Sequence, residues 1–488
     1  MSKTSPADSS SAPSILWFRN DLRLADNPAL RAACTAGGSV IPVFILDDEA
    51  AGSWQPGGAG RWWLHESLTA LARTLKEMGS QLVLRRGETA EQLSRIAAQA
   101  GAASVHCTRR YEPWAIAQEA SCKSHLETKG ITLKRYGGVL LLEPEKIATK
   151  SGDPYKVYTP FWRALCATYT QSRPQKAPDE IPAPSKWPKS EKLSDWNLQP
   201  AKPNWAKAFP KHWTPGEAGA LTRLETFINE AADDYTRDRN RPDLVGTSRL
   251  SPHMAHGEIS PRLIWYSTRS AQGRRGRHSD GLETFLKELV WREFASHLLF
   301  HFPHFPEKPF REEFQRFPWQ RDQTALRAWQ RGMTGYPIVD AGMRELWTTG
   351  WMHNRVRMIV ASFLVKDLLI PWQDGERWFW DTLVDADLAN NAAGWQWVAG
   401  SGADAAPYFR IFNPIMQGEK FDPDGAYVRT WVPELAELPP DVAQRPFEAD
   451  SATLQRAGVR LGETYPKPIV DHAAARKAAL SAYREIRR

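Results

Sequence analysis

Short apolar runs alternate with amphipathic segments over the first third of the chain. Residues 15–18 and 40–46 are apolar runs of strand length, and residues 61–78 place apolar side chains at helical spacing until Gly79. The same alternation continues through a helix at 88–100, a strand at 104–107, a helix ending near Gly130 and strands at 81–84 and 131–135. It predicts a doubly wound α/β domain, with a parallel sheet covered by helices on both faces.

The composition then changes twice along the chain. Residues 1–13 are rich in Ser, Ala and Pro and predict a disordered tail, not a signal peptide or an anchor. After the Rossmann-like α/β domain at 14–145, residues 146–215 are rich in Pro, Lys and Ser and predict an interdomain connector. Residues 216–488 show helical periodicity with long loops, which predicts an all-helical second domain.

Charge and cysteine content narrow the class of protein. The net charge of +7 and the pI near 9.1 are compatible with a polyanionic partner or with a generally basic surface. The four cysteines are far apart in sequence, which argues against a zinc site or a disulfide framework and fits a reducing cytoplasm with free, mostly buried thiols. The most apolar segment, 358–370, is short and contains Lys366 and Asp367, so we expect no membrane span. We also expect no metal site.

The predicted α/β domain lacks the usual nucleotide-binding motifs. No Gly-x-Gly-x-x-Gly follows the first strand, and Gly57-Gly-Ala-Gly60 lies in a predicted loop without the Lys-Ser/Thr of a phosphate loop. We therefore expect neither an NAD nor an ATP site here. Glu112 follows the fourth strand, where such sheets bind ligands, but a lone carboxylate favours a solvated loop residue.

Aromatic and polar residues are concentrated together in residues 372–431. The chain has 22 Trp against 12 Tyr, and this stretch mixes Trp with Asn and Asp. Polar groups beside large aromatics need partners, which favours a lined pocket; the alternative is a packed helical core with a few satisfied polar groups.

Two other segments carry candidate chemistry, each with an ordinary alternative. Gly246-Thr-Ser-Arg-Leu-Ser-Pro252 is typical of a phosphate-holding helix start, although Ser and Thr before Pro are also common capping residues. Glu288, Trp291 and Arg292 share one helix face, and the alternative there is a surface ion pair beside a core Trp. Residues 269–278 predict a flexible basic loop, which either contacts phosphates or is merely solvated.

Several motifs occur in a characteristic order along the chain. They are Trp17-Phe-Arg-Asn-Asp-Leu-Arg23, the 246–252 segment, Glu288-Leu-Val-Trp-Arg-Glu-Phe294, Thr334-Gly-Tyr-Pro-Ile-Val-Asp340, Gly350-Trp-Met-His-Asn-Arg-Val-Arg-Met358, Gly394-Trp-Gln-Trp397 and residues 404–414. Together they resemble the DNA photolyases and cryptochromes, most closely the bacterial cyclobutane-pyrimidine-dimer photolyases. The resemblance covers nearly the whole chain.

The resemblance implies FAD, in a folded conformation, inside the helical domain. Its implied ligands are Tyr235, Thr247, Ser248, Arg249, Leu250, Ser251, Arg292, Asn354, Arg357, Asp385, Asp387 and Asn391. Arg357 and Asp385 are expected to form an ion pair. Asn391 is expected to face the reactive edge of the flavin, although the neighbouring Asn390 leaves a register shift of one residue open.

The implied activity is light-driven repair of cyclobutane dimers in UV-damaged DNA, single- or double-stranded, by an electron from excited reduced FAD. Glu288, Asn391 and Met358 are the implied catalytic residues. The implied lesion and DNA contacts are Glu288, Trp291, Arg355, Met358, Trp397 and Arg239, with the basic segment near Arg275. Met358 favours cyclobutane dimers over six-four lesions, whose photolyases place a catalytic His in this region; His353 has a counterpart in dimer photolyases.

The same resemblance implies two accessory functions. Trp395, Trp372 and Trp319 match a relay that photoreduces oxidised flavin. An antenna pigment is expected at the junction of the two domains, either methenyltetrahydrofolate, which we favour, or a hydroxydeazaflavin. We expect a monomer.

Two other functions remain open from the sequence. A cryptochrome-like blue-light photoreceptor would keep the flavin without repair; such proteins usually differ at Glu288, Trp291 or Met358 and often append a long tail, whereas this chain ends soon after Tyr465-Pro-Lys-Pro468. The third possibility is a basic DNA-binding scaffold without flavin.

Overall fold

The computed structural model describes residues 12–276, 279–405 and 409–487, so the predicted tail lies almost entirely outside the described residues. The five strands are β1 (Ser14–Phe18), β2 (Val40–Leu46), β3 (Val83–Arg86), β4 (Ser104–Thr108) and β5 (Thr132–Tyr136). They form one parallel sheet in the order β3-β2-β1-β4-β5. β1 and β2 are buried along their whole length because helices cover both faces of the sheet. The predicted doubly wound domain is confirmed.

The helices of the described residues are α1 (Pro28–Thr35), α2 (Gly58–Glu77), α3 (Thr89–Ala100), α4 (Pro113–Glu127), α5 (Tyr158–Thr168), α6 (Glu217–Thr226), α7 (Tyr235–Asp238), α8 (Ser251–Ala255), α9 (Pro261–Arg275), α10 (Asp280–His301), α11 (Gln323–Arg331), α12 (Pro337–Thr349), α13 (Asn354–Ser362), α14 (Trp372–Thr382), α15 (Leu388–Ala399), α16 (Pro414–Phe421), α17 (Ala426–Trp431), α18 (Ser451–Arg456) and α19 (His472–Ile486). None of them is long and apolar enough to cross a membrane.

The glycine-rich segment before α2 is not the predicted loop. Gly58 already begins the helix. A Cβ at Gly57 would lie 2.4 Å from the Cα of Asp381, which follows the last Trp of α14. These glycines therefore allow a helix of the α/β half to approach a helix of the helical half.

The connector packs along both halves of the molecule. Ile181, Trp196 and Leu198 join the core beneath the sheet. Phe209 and Trp213 pack with Trp62 and Trp63 of α2 and with Trp351 of the helical half. This segment is structured because its scattered aromatic residues are buried. Its Pro-rich composition did not indicate that burial.

Two smaller predictions were wrong. Residues 269–275 are the last turns of α9 and not a flexible loop, while Arg277 and His278 lie outside the described residues. All four thiols are free, as predicted, but Cys166 is exposed and Cys34 only half-buried.

Candidate functional site

The site centres on α15, which packs against α10, α13 and α14. Asp387 begins this helix by accepting a hydrogen bond from the backbone N–H of Asn390 at 2.8 Å, a standard N-cap. The Asn390 side chain also donates to Asp387, whereas Asn391 donates instead to the Glu376 carbonyl of α14, at 2.9 Å. The two asparagines are therefore distinguished: Asn390 supports the cap, and Asn391 lies at the contact between α14 and α15.

Arg357 and Asp385 form the predicted ion pair. Their closest N–O distance is 2.8 Å, and the Asp385 side chain is buried. The Nε atom of Arg357 also donates to the Met352 carbonyl at 2.7 Å, which fixes the guanidinium. The second oxygen, Oδ1 of Asp385, is buried and has no hydrogen-bond partner within the described ranges. A buried carboxylate oxygen without a partner is costly, so this atom fits a ligand that donates a hydrogen bond, as a flavin ring does.

The segment before α8 supplies hydroxyls and a cation. Arg249 has a φ of 51°, which turns the backbone between Ser248 and Leu250. Its guanidinium lies 4.8 Å from the Trp351 ring, whose indole N–H donates to the Ser251 hydroxyl at 3.3 Å. No side chain caps α8 itself, but the Ser248 hydroxyl accepts a hydrogen bond from the backbone N–H of Leu250 at 3.3 Å just before the helix. The residues present fit the phosphates of a cofactor.

Trp291 forms a half-buried aromatic wall on α10. Its ring is stacked on Tyr158 of α5, with centroids 3.7 Å apart and planes within 5°. Tyr158 is fixed in turn, because its hydroxyl donates to the Lys287 carbonyl at 2.6 Å. Sequence reasoning missed Tyr158, which lies in the connector, and no local pattern there marks it. With one face covered by Tyr158, the opposite face of Trp291 is the one left for a ligand.

Glu288 lies one turn before Trp291 and pairs with Arg239, at 2.5 Å. The alternative of a Glu288–Arg292 ion pair is wrong: Arg292 donates to the Val139 carbonyl at 2.8 Å and lies 3.6 Å from Glu293. Tyr235 is buried and stacks edge-on with Phe285. The sequence did not predict this pairing, because it gave Glu288 and Arg239 separately as lesion and DNA contacts; the ion pair brings the two side chains together.

The helix α13 carries the next group of predicted residues. Asn354 is exposed and begins the helix, while Arg355, Arg357 and Met358 are half-buried. His353 caps the helix through its ring, and burial lowers the pKa of His353 to about 3, with help from nearby arginines. It is therefore neutral at physiological pH and poorly suited to donate a proton.

The predicted tryptophans lie in one hydrophobic cluster. Trp395 and Trp372 are buried within it, and the half-buried Trp319 packs at its edge beside Phe317, at 4.3 Å between ring centroids. Trp397, two residues after Trp395, is half-buried and lies 5.8 Å from Arg410. Trp329 was not predicted, yet its ring contacts Trp395 edge-on at 6.2 Å.

A cavity opens at the carboxyl ends of β1, β2 and β4. It is lined by aromatic side chains of both halves, among them Trp54, Trp114 and Trp380, and by Glu112. The expectation of a solvated Glu112 was wrong, since its carboxylate is paired with Arg110 at 2.5 Å and is mostly buried. Because the β4 loop meets the helical half here, Glu112 lines the cavity instead of facing bulk solvent.

Arg275 does not extend freely toward a ligand. Its guanidinium donates to the Ile228 carbonyl at 2.6 Å and pairs with Asp233 at 3.0 Å. A phosphate contact from this residue would require breaking both interactions, so the predicted DNA contact near Arg275 lacks structural support.

Comparison with known proteins identifies the family. Residues 14–185 match DNA photolyase, and residues 285–485 match the FAD binding domain of DNA photolyase. The chain belongs to the DNA photolyase and cryptochrome family. Among members of this family, it is 54% identical over 479 residues to a deoxyribodipyrimidine photo-lyase of Agrobacterium fabrum, covering 98% of each chain. It is also 38% identical to Cryptochrome-1 of Arabidopsis thaliana, covering 95% of this chain and 69% of that one.

A solved structure in the photolyase family has the same fold. The bacterial class III photolyase from Agrobacterium tumefaciens matches with a TM-score of 0.95 and 54% identity, covering 99% of this chain and 100% of the other. The predicted fold and the predicted family are both confirmed, and the helical half is an FAD-binding domain.

Proposed function

We propose that this protein is a light-driven DNA photolyase that repairs cyclobutane pyrimidine dimers. The observation that carries the proposal is the packing of α15 against both α10 and α13. Trp397 and Asn391 lie on α15, and Asp387 caps that helix. The helices that pack on α15 carry the other residues of the proposed site: Glu288 and Trp291 lie on α10, and Met358 lies on α13. Cofactor and lesion would therefore be neighbours.

FAD is held by residues that fit its two ends. The hydroxyls of Thr247, Ser248 and Ser251 and the Arg249 guanidinium receive the phosphates. The Arg357–Asp385 pair, with Asn354, Asp387, Arg292 and Asn391, would hold the ring system. The Oδ1 atom of Asp385, which is buried and without a partner in the described residues, could accept a hydrogen bond from it. Bound in its reduced form, FAD would supply a light-excited electron to the lesion, which would return after the cyclobutane ring has opened.

The lesion is held outside the duplex. Extruding it costs a few kcal/mol, less for a damaged and poorly stacked pair. Stacking on aromatic rings contributes about 1–3 kcal/mol per base, so the walls of Trp291 and Trp397 are sufficient to offset that cost. Glu288 accepts a hydrogen bond from a base edge, and Met358 packs against the dimer.

Two accessory functions follow from the other sites. The cluster of Trp395, Trp372 and Trp319 supports the electron relay that keeps FAD reduced. The cavity between the two halves, with Trp54, Trp114 and Trp380 in its walls, supports a planar antenna pigment, of which methenyltetrahydrofolate is our choice over a hydroxydeazaflavin.

The deciding experiment is repair of a dimer-bearing oligonucleotide by the reduced holoprotein, in blue light and in the dark. We expect dimer loss only in light. Tight binding of the dimer without light-dependent repair would overturn the proposal in favour of a photoreceptor. The 38% identity to a plant cryptochrome is the observation that supports this alternative. Absence of flavin absorbance in the purified protein would exclude both.

A further inference from the structure

The guanidinium of Arg355 is held by a residue that no sequence motif marked. The side-chain oxygen of Asn240 accepts two hydrogen bonds from it, from Nε at 3.2 Å and from a terminal nitrogen at 2.6 Å. The Phe421 ring lies 4.3 Å from the same guanidinium. Two bonds to one atom and a covering ring fix both the plane and the direction of the cation.

The two arginines beside Asn240 in the sequence have negatively charged partners, whereas the partner of Arg355 is neutral. On either side of Asn240, Arg239 pairs with Glu288 at 2.5 Å and Arg241 pairs with Asp243 at 2.6 Å. Arg355 forms no ion pair with a carboxylate anywhere in the part of the chain that the structure describes. An amide oxygen accepts the same hydrogen bonds as a carboxylate oxygen but leaves the positive charge of the guanidinium uncompensated.

The surroundings of Arg355 favour an anionic ligand. Burial, followed by the charges of Arg239 and Arg410, lowers the pKa of Arg355. Burial and these two positive charges disfavour the charged form of Arg355, and a bound anion would offset that cost. Three of the five N–H groups of the Arg355 guanidinium are not used by Asn240, which accepts from two.

We propose that Asn240 is a positioning residue that holds Arg355, with its charge intact, toward a backbone phosphate of the bound DNA. This inference rests on the proposed function. The neutrality of Asn240 is the essential property: an acid at this position would hold the same geometry but cancel the charge that the phosphate needs.

The test compares Asn240→Asp, Asn240→Ala and Arg355→Ala with the wild-type holoprotein, using a dimer-bearing duplex over a range of salt concentrations. Each phosphate contact contributes about 0.9 to the slope of log K against log salt. We expect Asn240→Asp and Arg355→Ala each to reduce the slope by about this amount. Asn240→Ala should keep the slope and weaken binding by about threefold to tenfold, since Arg355 must then be ordered on binding.

The matched control is Asn204→Asp, the same charge change at an exposed residue of the connector, which should leave the slope unaltered. Flavin occupancy is measured in every variant to identify loss of folding. An unchanged slope in Asn240→Asp, or an unchanged affinity in Asn240→Ala, would overturn the inference while wild-type repair still stands. Failure of the wild type to repair dimers would instead overturn the proposed function.

Discussion

At the scale of single residues, the pairing of Glu288 with Arg239 limits what the carboxylate can do. One oxygen is engaged at 2.5 Å, and the side chain remains about a third exposed, so the other oxygen is available to a base. Removing the carboxylate takes away the proposed hydrogen bond to the lesion but none of the groups proposed to hold FAD. We expect Glu288→Ala to retain flavin and to lower the repair yield per absorbed photon.

Glu288→Gln separates the two properties of that carboxylate. It keeps an acceptor oxygen and removes the charge, so a yield between those of the wild type and Glu288→Ala is expected. Flavin absorbance and dimer loss, measured on the same samples, check both variants. Wild-type yield in Glu288→Ala would remove Glu288 from the catalytic residues.

A second prediction for a single residue concerns the surface end of the proposed electron relay. Trp319 is half-buried at the edge of the cluster that contains Trp372 and Trp395. Replacing it by Phe should slow photoreduction of oxidised flavin and leave repair by pre-reduced protein largely intact. The rates are measured by absorbance under blue light and by dimer loss.

Trp347→Phe is the comparison for that experiment. Trp347 is 49% exposed and stacks on Trp378, outside the predicted relay. We expect normal photoreduction in this variant. Equal slowing in Trp347→Phe and none in Trp319→Phe would locate the surface end of the path at Trp347.

At the scale of helices, the contact between α14 and α15 depends on a single glycine. A Cβ at Gly375 would lie 2.1 Å from the Trp395 ring, in a buried position. Alanine usually stabilises a helix relative to glycine by about 1 kcal/mol. Here the clash prevails, and we expect Gly375→Ala to reduce stability by about 1–3 kcal/mol and to disturb Trp395.

The control is Gly273→Ala in α9, where a Cβ would meet nothing within 4 Å. This variant should be neutral or more stable. Thermal unfolding and photoreduction of both variants test the prediction, and equal stability of the two would show that α14 and α15 can separate without cost.

The periodicity of the sequence predicted most helices and strands, and β1, β2 and α10 show the burial expected of their patterns. None of the residues of β5, at the edge of the sheet, is fully buried. The sequence prediction failed at the start of α2 and at the end of α9. The glycines before α2 resemble a loop until Asp381, more than three hundred residues later, is packed against them. Likewise the basic residues of α9 resemble a solvated loop until Glu283 and Asp233 pair with them.

At the scale of the whole molecule, Glu293 connects the two halves. It lies on α10, and its carboxylate accepts a hydrogen bond from the backbone N–H of Leu141 at 2.7 Å. Burial raises the pKa of Glu293 to about 7. A carboxyl whose folded pKa exceeds its unfolded value favours folding while protonated, so its contribution to stability falls as pH rises from about 4.5 through 7.

We therefore expect Glu293→Gln to flatten the decline in stability over that pH range. The amide keeps an acceptor for Leu141 and never ionises, so the variant should be more stable than the wild type at pH 8 by up to about 3 kcal/mol. Thermal unfolding at several pH values measures the difference, with the exposed Glu49→Gln as control. Parallel curves for wild type and Glu293→Gln would contradict the assignment.

The residues of the candidate site were predictable where they lie in continuous motifs. Residues 246–252 and 350–358 and the segment around Trp395 could each be matched in order along the chain. Tyr158 and Asn240 could not be predicted, because each acts through a contact with a residue more than one hundred positions away in the sequence. Phe421, which contacts Arg355, could not be predicted because it lies on a helix with no marked sequence pattern.

The stack of Tyr158 on Trp291 bears on how this protein can be divided or recombined. Trp291 belongs to the helical half, but the ring that supports it comes from α5, which lies before that half begins in the sequence. A grafted helical half that starts after α5 would carry every proposed cofactor ligand and still lack the ring that covers one face of Trp291. Chimeras with related proteins should therefore exchange α5 and α10 together, because the two helices form a single transferable unit.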